Sequence, residues 1–231
     1  MPGDNNQQMP PKLPAIKTTE LINRRWLSES AFEIELRRPP DFFFKPGQTI
    51  RLVYNDQKRY YSLVSAPDDP TVLLCANFIE KGYVSSFLAS ADIGHKFEFS
   101  GPHGYFTLSP SPRPPVFIAT DTGIAPFASI ARSGVKDFTL LHGARRTAEL
   151  YYQDLLRKTA RDYLQVVWDT SDADPVASSL FHGKMVDMLV QHLRPGSYDF
   201  YLCGWQKMIK DVTHMIDERY AGSHLYTEVF F

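Results

Sequence analysis

The sequence predicts a two-domain β + α/β protein, with an antiparallel β-barrel followed by a domain built on a parallel sheet. Residues 20–107 contain short runs in which apolar and polar side chains alternate, the pattern of strands with one buried face. Residues 109–115 form a linker too rich in proline to join a helix or a sheet. After this linker, apolar runs alternate with helix-like segments, which is typical of a parallel sheet covered on both faces.

The first domain is predicted to span residues 15–111. Its strand-like runs, such as residues 32–36 and 96–99, are separated by close turns that contain Pro and Gly. Several short strands joined in this way favour a small antiparallel barrel. One short helix is expected within it, at residues 84–89.

The second domain is predicted to span residues 114–231. The predicted strands lie at residues 116–119, 138–141, 164–168 and 200–202, with a last strand at 228–231. The predicted helices lie at residues 127–133, 151–161, 185–193 and 206–220. Parallel sheets of this kind bind ligands at the carboxyl ends of their strands, so we expect functional residues there.

Composition excludes several classes of protein. Lys and Arg total 25 against 26 for Asp and Glu, so no bulk charge attracts nucleic acid or an anionic membrane. No apolar run reaches the roughly 18 residues of a membrane helix, which argues against membrane insertion. Residues 1–14, rich in Pro, Asn and Gln, are predicted to be a disordered leader rather than a signal peptide or an anchor.

The number and spacing of cysteines and histidines argue against disulfides and metal sites. Cys75 and Cys203 are the only cysteines, which excludes a disulfide framework and a four-cysteine iron–sulfur or zinc site within this chain. A reducing compartment, the cytoplasm, fits best. The seven histidines show no close metal-ligand spacing, so no metal site is predicted.

Five motifs follow one another along the chain. Each is unremarkable alone: an exposed arginine beside core tyrosines, a capped helix, a strand–turn–helix, a buried cysteine and a final strand. They are Arg59-Tyr60-Tyr61-Ser62-Leu63, Gly82-Tyr83-Val84-Ser85-Ser86, Thr120-Asp121-Thr122-Gly123-Ile124-Ala125-Pro126, Cys203-Gly204 and Glu228-Val229-Phe230-Phe231. In this order and at these distances, the set resembles the ferredoxin–NADP reductase family of flavoproteins over residues 21–231.

The resemblance assigns a flavin to the first two motifs. It implies that Arg59 pairs with the flavin pyrophosphate, Tyr61 stacks on the isoalloxazine ring, and Ser62 lies near flavin N5. Tyr60 and Leu63 belong to the same binding segment. In the second motif, which opens a helix with Ser85 or Ser86 as its expected cap, free backbone N–H groups would bind the pyrophosphate. The contact residues implied there are Gly82, Val84, Ser85 and Ser86.

The third motif is expected to contact the nicotinamide nucleotide through Thr122 and Gly123, because a glycine lets backbone approach a dinucleotide. The family usually has glycine where this chain has Asp121, and a carboxylate repels a pyrophosphate. Asp121 is therefore expected to point away or to cap the helix. Arg145, Arg146 and Tyr151 fall in the region that reads the adenosine half.

The arginine pair could bind a 2′-phosphate, which favours NADPH slightly, since no acidic residue follows the same strand. Two solvated arginines, and NADH, remain open alternatives. By resemblance, Cys203 and Gly204 lie beside the nicotinamide, with Trp205 where proline is common. Either Phe230 or Phe231 would cover the flavin, and the catalytic residues would be Ser62, Cys203 and Glu228.

The function implied is a flavoprotein reductase with FAD, or less plausibly FMN. Hydride would pass from NADPH or NADH to the flavin, and single electrons to a separate acceptor such as a ferredoxin, flavodoxin or oxygenase component. Two alternatives remain: a reductase of free flavin or another small acceptor, and a flavin-binding subunit that relays electrons or senses redox state. The sequence leaves open the acceptor, the direction of electron flow and the oligomeric state.

Overall fold

The computed structural model describes residues 15–169 and 180–230. The predicted leader, residues 1–14, and Phe231 lie outside the described residues. The two domains predicted from the sequence pattern correspond to two six-stranded sheets, one antiparallel and one parallel.

The first sheet is antiparallel, in the order β4-β3-β6-β1-β2-β5. Its strands are β1 (Ile16–Trp26), β2 (Ala31–Arg37), β3 (Thr49–Tyr54), β4 (Gln57–Ser62), β5 (Thr71–Asn77) and β6 (Lys96–His103). An antiparallel bridge between Leu63, directly after β4, and Leu74 in β5 joins the two edges of this sheet. The sheet therefore closes on itself, and the predicted barrel is confirmed.

Alternation along the strands fills the barrel with apolar side chains. In β2, Phe32, Ile34 and Leu36 are buried, while the residues between them are partly exposed. The rings of Phe42 and Phe99 meet edge to face at 5.2 Å inside the same core. This rigid core fixes the position of β4, whose end carries the first motif.

Helix α1 (Tyr83–Ser90) lies where the sequence placed a short helix, but its cap differs from the expected one. Gly82 occupies the N-cap without a side-chain hydrogen bond. The Ser86 hydroxyl donates to the carbonyl of Ile79 at 2.8 Å, and the Ser85 hydroxyl accepts from the Ile79 amide at 3.3 Å. Both serines thus fasten the preceding loop, and the prediction that one of them caps the helix was wrong.

The second sheet is parallel throughout, in the order β10-β9-β8-β7-β11-β12. Its strands are β7 (Pro115–Thr120), β8 (Thr139–Ala144), β9 (Asp162–Val167), β10 (Leu180–His182), β11 (Asp199–Trp205) and β12 (His224–Phe230). Its helices are α2 (Ala125–Arg132), α3 (Gln153–Thr159), α4 (Met185–His192) and α5 (Gln206–Arg219). The strand order reverses between β7 and β11, and such switch points form ligand crevices.

Helix α2 holds the two sheets together. The buried Ser129 hydroxyl donates to the carbonyl of Ser65 in the barrel at 2.6 Å. Arg132 pairs with Asp69 at 2.7 Å on the rim of the same contact. With this docking, the end of β4 lies beside the ends of β11 and β12, where the other motifs are found.

One buried histidine stands in the core of the second domain. His142 on β8 is fully buried, with Nδ1 2.9 Å from the Tyr163 hydroxyl, and its Nε2 has no hydrogen-bond partner among the described residues. Burial lowers the pKa of His142 from its ordinary 6.5 to about 3, because the charged imidazolium is excluded from an apolar core. The side chain is therefore neutral at physiological pH.

We expect His142 to make the fold acid-sensitive. The unfolded chain takes up this proton first, so the stabilisation is complete above about pH 6.5 and falls as the pH drops towards 3, by about 1.4 kcal/mol per pH unit. In His142→Gln the urea-unfolding free energy should decline less between pH 7 and 4.5 than in the wild type. His214→Gln, on the exposed face of α5, is the control and should keep the wild-type slope. Equal slopes in His142→Gln and wild type would contradict the expectation.

Candidate active site

A groove of about 900 Å³ lies between the barrel and the parallel sheet. Strand β4, the start of α1, the turn after β7 and the end of β12 form its walls. Of the residues predicted to bind cofactors, it is lined by Arg59, Tyr60, Tyr61, Ser62, Gly82, Val84, Ser85, Thr122, Phe230 and, from the catalytic set, Glu228. The volume lies in the range of small-molecule and cofactor sites.

Strand β4 presents a cation followed by two aromatic rings. Arg59 is exposed, donates only to the neighbouring carbonyl of Lys58, and forms no ion pair with any residue in the described ranges. Tyr60 is 58% exposed. Burial raises the pKa of Tyr61 to about 12, against a smaller opposing effect of Arg59, so its phenol stays neutral. This end of the groove therefore offers an unpaired positive charge beside flat aromatic surface.

The three predicted catalytic residues meet at the other end of β4. The Ser62 hydroxyl donates to Oε2 of Glu228 at 2.9 Å, and Sγ of Cys203 lies 4.0 Å from the same oxygen. Burial raises the pKa of Glu228, although its hydrogen bond from Ser62 acts in the opposite direction. Burial also holds the pKa of Cys203 well above its usual value, and Glu228 raises it further. The thiol is therefore protonated and packs as a neutral group.

Two glycines bring the ends of β7 and β11 into contact. Gly204 has φ +130°, and a Cβ there would lie 2.3 Å from Oγ1 of Thr120. A Cβ on Gly123 would lie 2.5 Å from the carbonyl oxygen of Cys203. In this structure, the close approach that requires glycine at position 123 is to the Cys203 backbone. Gly204 and Gly123 position the thiol from behind the groove.

Asp121 follows β7 directly and starts a short 3-10 turn, Asp121–Ile124. Its φ is +51°, a conformation that favours glycine and that Asp and Asn tolerate better than other side chains. Thr120 is the N-cap of this turn and Ile124 is the N-cap of α2, and no side chain caps either one. Of the two expectations for Asp121, the capping role was therefore wrong. Burial, with a smaller contribution from the negative charge of Glu149, raises the pKa of Asp121 to about 6.

The arginine pair lies outside the groove and already has an acidic partner. Nε of Arg145 and Nε of Arg146 each lie 3.5 Å from Oδ2 of Asp169. Asp169 follows β9, and its amide donates to the carbonyl of Arg145 at 2.9 Å. No acidic residue directly follows β8, but the neighbouring strand β9 brings Asp169 to the arginine pair, which the sequence analysis did not foresee. Adjacent parallel strands end at the same edge of a sheet. Pairing of β8 with β9 was therefore the signal that could have placed Asp169 beside Arg145 and Arg146.

Two other residues that were predicted to contact a cofactor contact other protein groups and not the groove. Tyr151 is buried between the domains, where its hydroxyl lies 2.9 Å from that of Ser28. Leu63 is buried, and its amide donates to the carbonyl of Gln48. Neither side chain lines the groove.

Sequence reasoning missed several lining residues. Thr49 pairs with both Ser62 and His103 across the barrel, which brings β3 and β6 to the groove. Burial and the nearby Arg51 lower the pKa of His103, although a hydrogen bond at Ser100 opposes them. These residues have no motif in the sequence, and only the strand register reveals them.

Residues 15–169 and 180–230 contain no group of three or more His, Cys, Asp or Glu side chains placed to hold a metal ion. None of the helices in these ranges is long and apolar enough to cross a membrane.

Comparison with protein families identifies both halves of the chain. The model of the oxidoreductase FAD-binding domain matches residues 19–108, and that of the oxidoreductase NAD-binding domain matches residues 117–214. Ferredoxin–NADP reductase B of Sorangium cellulosum (strain So ce56) is 35% identical over 154 residues, which cover 61% of this chain and 63% of that protein.

A second curated relative extends the match along the chain. The toluate 1,2-dioxygenase electron transfer component of Pseudomonas putida is 29% identical over 207 residues, which cover 85% of this chain and 62% of that protein. The chain thus spans a little under two thirds of the length of these curated relatives.

A solved structure shares the fold. The ferredoxin NADP⁺ reductase from Neisseria gonorrhoeae, with bound FAD and NADP, aligns with a TM-score of 0.78 at 23% identity. The alignment covers 94% of this chain and 99% of that one. An antiparallel barrel docked on a parallel sheet is therefore common to both proteins.

Proposed function

The chain belongs to the ferredoxin–NADP reductase family, and from this premise we propose that it is an NAD(P)H-dependent flavoprotein reductase that passes electrons to a protein acceptor. The observation that carries the proposal is the meeting of Ser62, Cys203 and Glu228, of which Ser62 and Glu228 line the groove and Cys203 lies buried behind them. These residues come from three strands and both domains. A merely structural role would not require the two domains to share a half-buried carboxylate at a cavity.

The groove fits a flavin on grounds of charge and shape. Arg59 carries an unpaired guanidinium whose planar fork matches a pyrophosphate. The start of α1 adds backbone N–H groups, with Gly82, Val84 and Ser85 at the cavity wall. Tyr61, kept neutral, offers a face for ring stacking. A groove of about 900 Å³ with a pyrophosphate site suits FAD better than the shorter FMN.

Bound FAD would supply the redox chemistry, accepting a hydride from the nicotinamide and giving up electrons one at a time. The chain's own residues orient the reactants. Cys203, neutral and fully buried, packs behind Glu228 and would support the nicotinamide side of the groove from beneath. Ser62 and Glu228 hold each other in place, so the polar edge of the site is fixed before any ligand arrives.

Phe230 is the proposed cover of the flavin. It lines the groove and pairs in register with Trp205 across β11 and β12. A nicotinamide needs the same face, so Phe230 has to move aside before hydride transfer. Phe231, the other candidate, lies outside the described residues.

The co-substrate is NADPH or NADH. Asp169 already pairs with Arg145 and Arg146, so a 2′-phosphate has to compete with a carboxylate for them. Both arginines are exposed, and a phosphate is the stronger bidentate partner. The arginine pair therefore permits NADPH without requiring it.

The acceptor is proposed to be a ferredoxin, a flavodoxin or an oxygenase component. The names of two relatives, a ferredoxin–NADP reductase and a dioxygenase electron transfer component, support an acceptor of this kind. The second candidate function is a flavin-binding relay or redox-sensing subunit with little nicotinamide use. Asp121 at the strand switch point, and the 56% exposed Trp205 beside it, favour that alternative.

Anaerobic titration with NADPH and with NADH tests the proposal. The purified protein should carry flavin, and at least one nucleotide should bleach its visible absorbance. A protein that takes up neither FAD nor FMN would overturn the proposed function. A flavoprotein that dithionite reduces but neither nucleotide does would instead be the relay or sensing subunit.

A further inference from the structure

We propose that Asp121 sets the affinity of the nucleotide site, where its carboxylate weakens binding of the nucleotide pyrophosphate. The inference rests on the proposed function and goes beyond it, because it assigns low and adjustable nucleotide affinity to one side chain. Asp121 directly follows β7, at the point where the strand order reverses between β7 and β11. Ligands of parallel sheets bind in that crevice, and the next residue, Thr122, lines the groove.

The backbone at this position suits a residue without a side chain. Asp121 holds φ +51°, where glycine is unstrained and most other residues are not. Asp is nevertheless present, half-buried, and its carboxylate has no hydrogen bond or ion pair with any residue within 15–169 or 180–230. A carboxylate that stabilised the turn would show such a contact. The side chain of Asp121 therefore contributes an unpaired negative charge one residue before Thr122, which lines the groove.

The surrounding elements do not neutralise that charge. The second 3-10 turn, Thr147–Glu149, contributes Glu149, which adds negative charge. Strand β7 has no titratable side chain, and Arg132 on α2 is paired with Asp69. On the packed strands, Cys75 on β5, His142 on β8 and Tyr201 and Cys203 on β11 are uncharged at neutral pH. The charged Asp199 begins β11, at the opposite end of that strand from Cys203, and is paired with Arg113.

The charge has a predictable effect on an incoming dinucleotide. A pyrophosphate entering the crevice meets a like charge in a site that is partly shielded from water, where repulsion is stronger than in bulk solvent. Because burial raises the pKa of Asp121 to about 6, the group is mostly ionised at pH 7 and mostly neutral at pH 5. Binding should therefore tighten as the pH falls and should be accompanied by proton uptake.

Isothermal titration of the flavin-loaded protein with NAD⁺ tests this inference. NAD⁺ is chosen because it lacks the titrating 2′-phosphate, and adenosine is the phosphate-free probe. At pH 7.5, Asp121→Asn should bind NAD⁺ about ten-fold more tightly than the wild type, since it removes one like charge and still tolerates positive φ. Asp121→Gly provides a second variant that relaxes the backbone. Asp217→Asn, on exposed α5, is the matched control and should match the wild type.

The pH series separates the outcomes. Wild-type affinity for NAD⁺ should rise between pH 7.5 and 5.5 with proton uptake, and both effects should be lost in Asp121→Asn, while adenosine binding stays constant. If the wild type and both Asp121 variants bind NAD⁺ equally at each pH, the inference is overturned and the proposed function stands. If no variant binds NAD⁺ or NADPH at either pH, the proposed use of nicotinamide nucleotides fails together with the inference.

Discussion

Replacing Cys203 with alanine is expected to slow reduction of the flavin by NADPH or NADH about a hundred-fold while flavin content stays normal. The thiol is fully buried, and the close contacts of Gly123 and Gly204 hold its backbone at the end of β7. Close packing therefore leaves the sulfur little room to move. A smaller side chain leaves a cavity behind Glu228, so this wall of the groove, and a nicotinamide placed against it, can shift. Misplacement of reacting atoms by about 1 Å costs on the order of a hundred-fold in rate.

Single-turnover anaerobic stopped-flow measurements give the rate constant, and the bound flavin is quantified from its absorbance. Cys203→Ser keeps a donor near Glu228 and nearly the same volume, so it should be slowed less than alanine. Thr227→Ala is the control, since Thr227 is exposed on the opposite face of β12 from Glu228. A normal reduction rate in Cys203→Ala would show that the thiol is only a packing residue.

The fold was predictable because both domains have strong local patterns. Alternating strands such as β2 and continuous apolar strands such as β8 differ in period, and the proline linker separates them. Strand β10, three residues long at the edge of the sheet, was not predicted. Its hydrogen bonds depend on β9 rather than on its own sequence, so no local pattern marks it.

The site was predictable in its members but less so in their contacts. Motif resemblance named Ser62, Cys203 and Glu228, while the hydrogen bond between Ser62 and Glu228 joins residues 166 positions apart. Asp169 was missed beside Arg145 because the two are neighbours only through the pairing of β8 and β9. Ion pairs between neighbouring strands depend on the order of strands in the sheet, and the spacing of residues along the chain does not predict that order.

The caps of α1 show how local rules can fail. Serines near a helix start are good caps in isolation, yet here the hydroxyls of Ser85 and Ser86 bond to the Ile79 peptide groups. Gly82 at the N-cap leaves the first amides of the helix uncapped by any side chain. The departure from the rule thus keeps backbone donors available at the groove, as an anion site needs.

Arg59→Ala is expected to weaken flavin retention by roughly ten- to a hundred-fold, the effect of losing charge-assisted hydrogen bonds to a phosphate. Arg59 has no carboxylate partner among the residues that the structure describes, and its own bond is only to the neighbouring Lys58 carbonyl. The folded protein therefore loses little stability when the guanidinium is removed, and the effect should appear in the dissociation constant of FAD.

Arg59→Lys and Lys58→Ala separate the guanidinium geometry from general positive charge. A lysine keeps the charge but lacks the planar fork, so Arg59→Lys should retain FAD better than alanine and worse than the wild type. Lys58 also lines the groove, and Lys58→Ala should weaken binding less, as expected of a screened point charge. Fluorescence titration of the apoprotein with FAD gives all three constants. If Arg59→Ala and Lys58→Ala weaken FAD equally, Arg59 contributes only to the general positive field of the groove and makes no specific contact with the pyrophosphate.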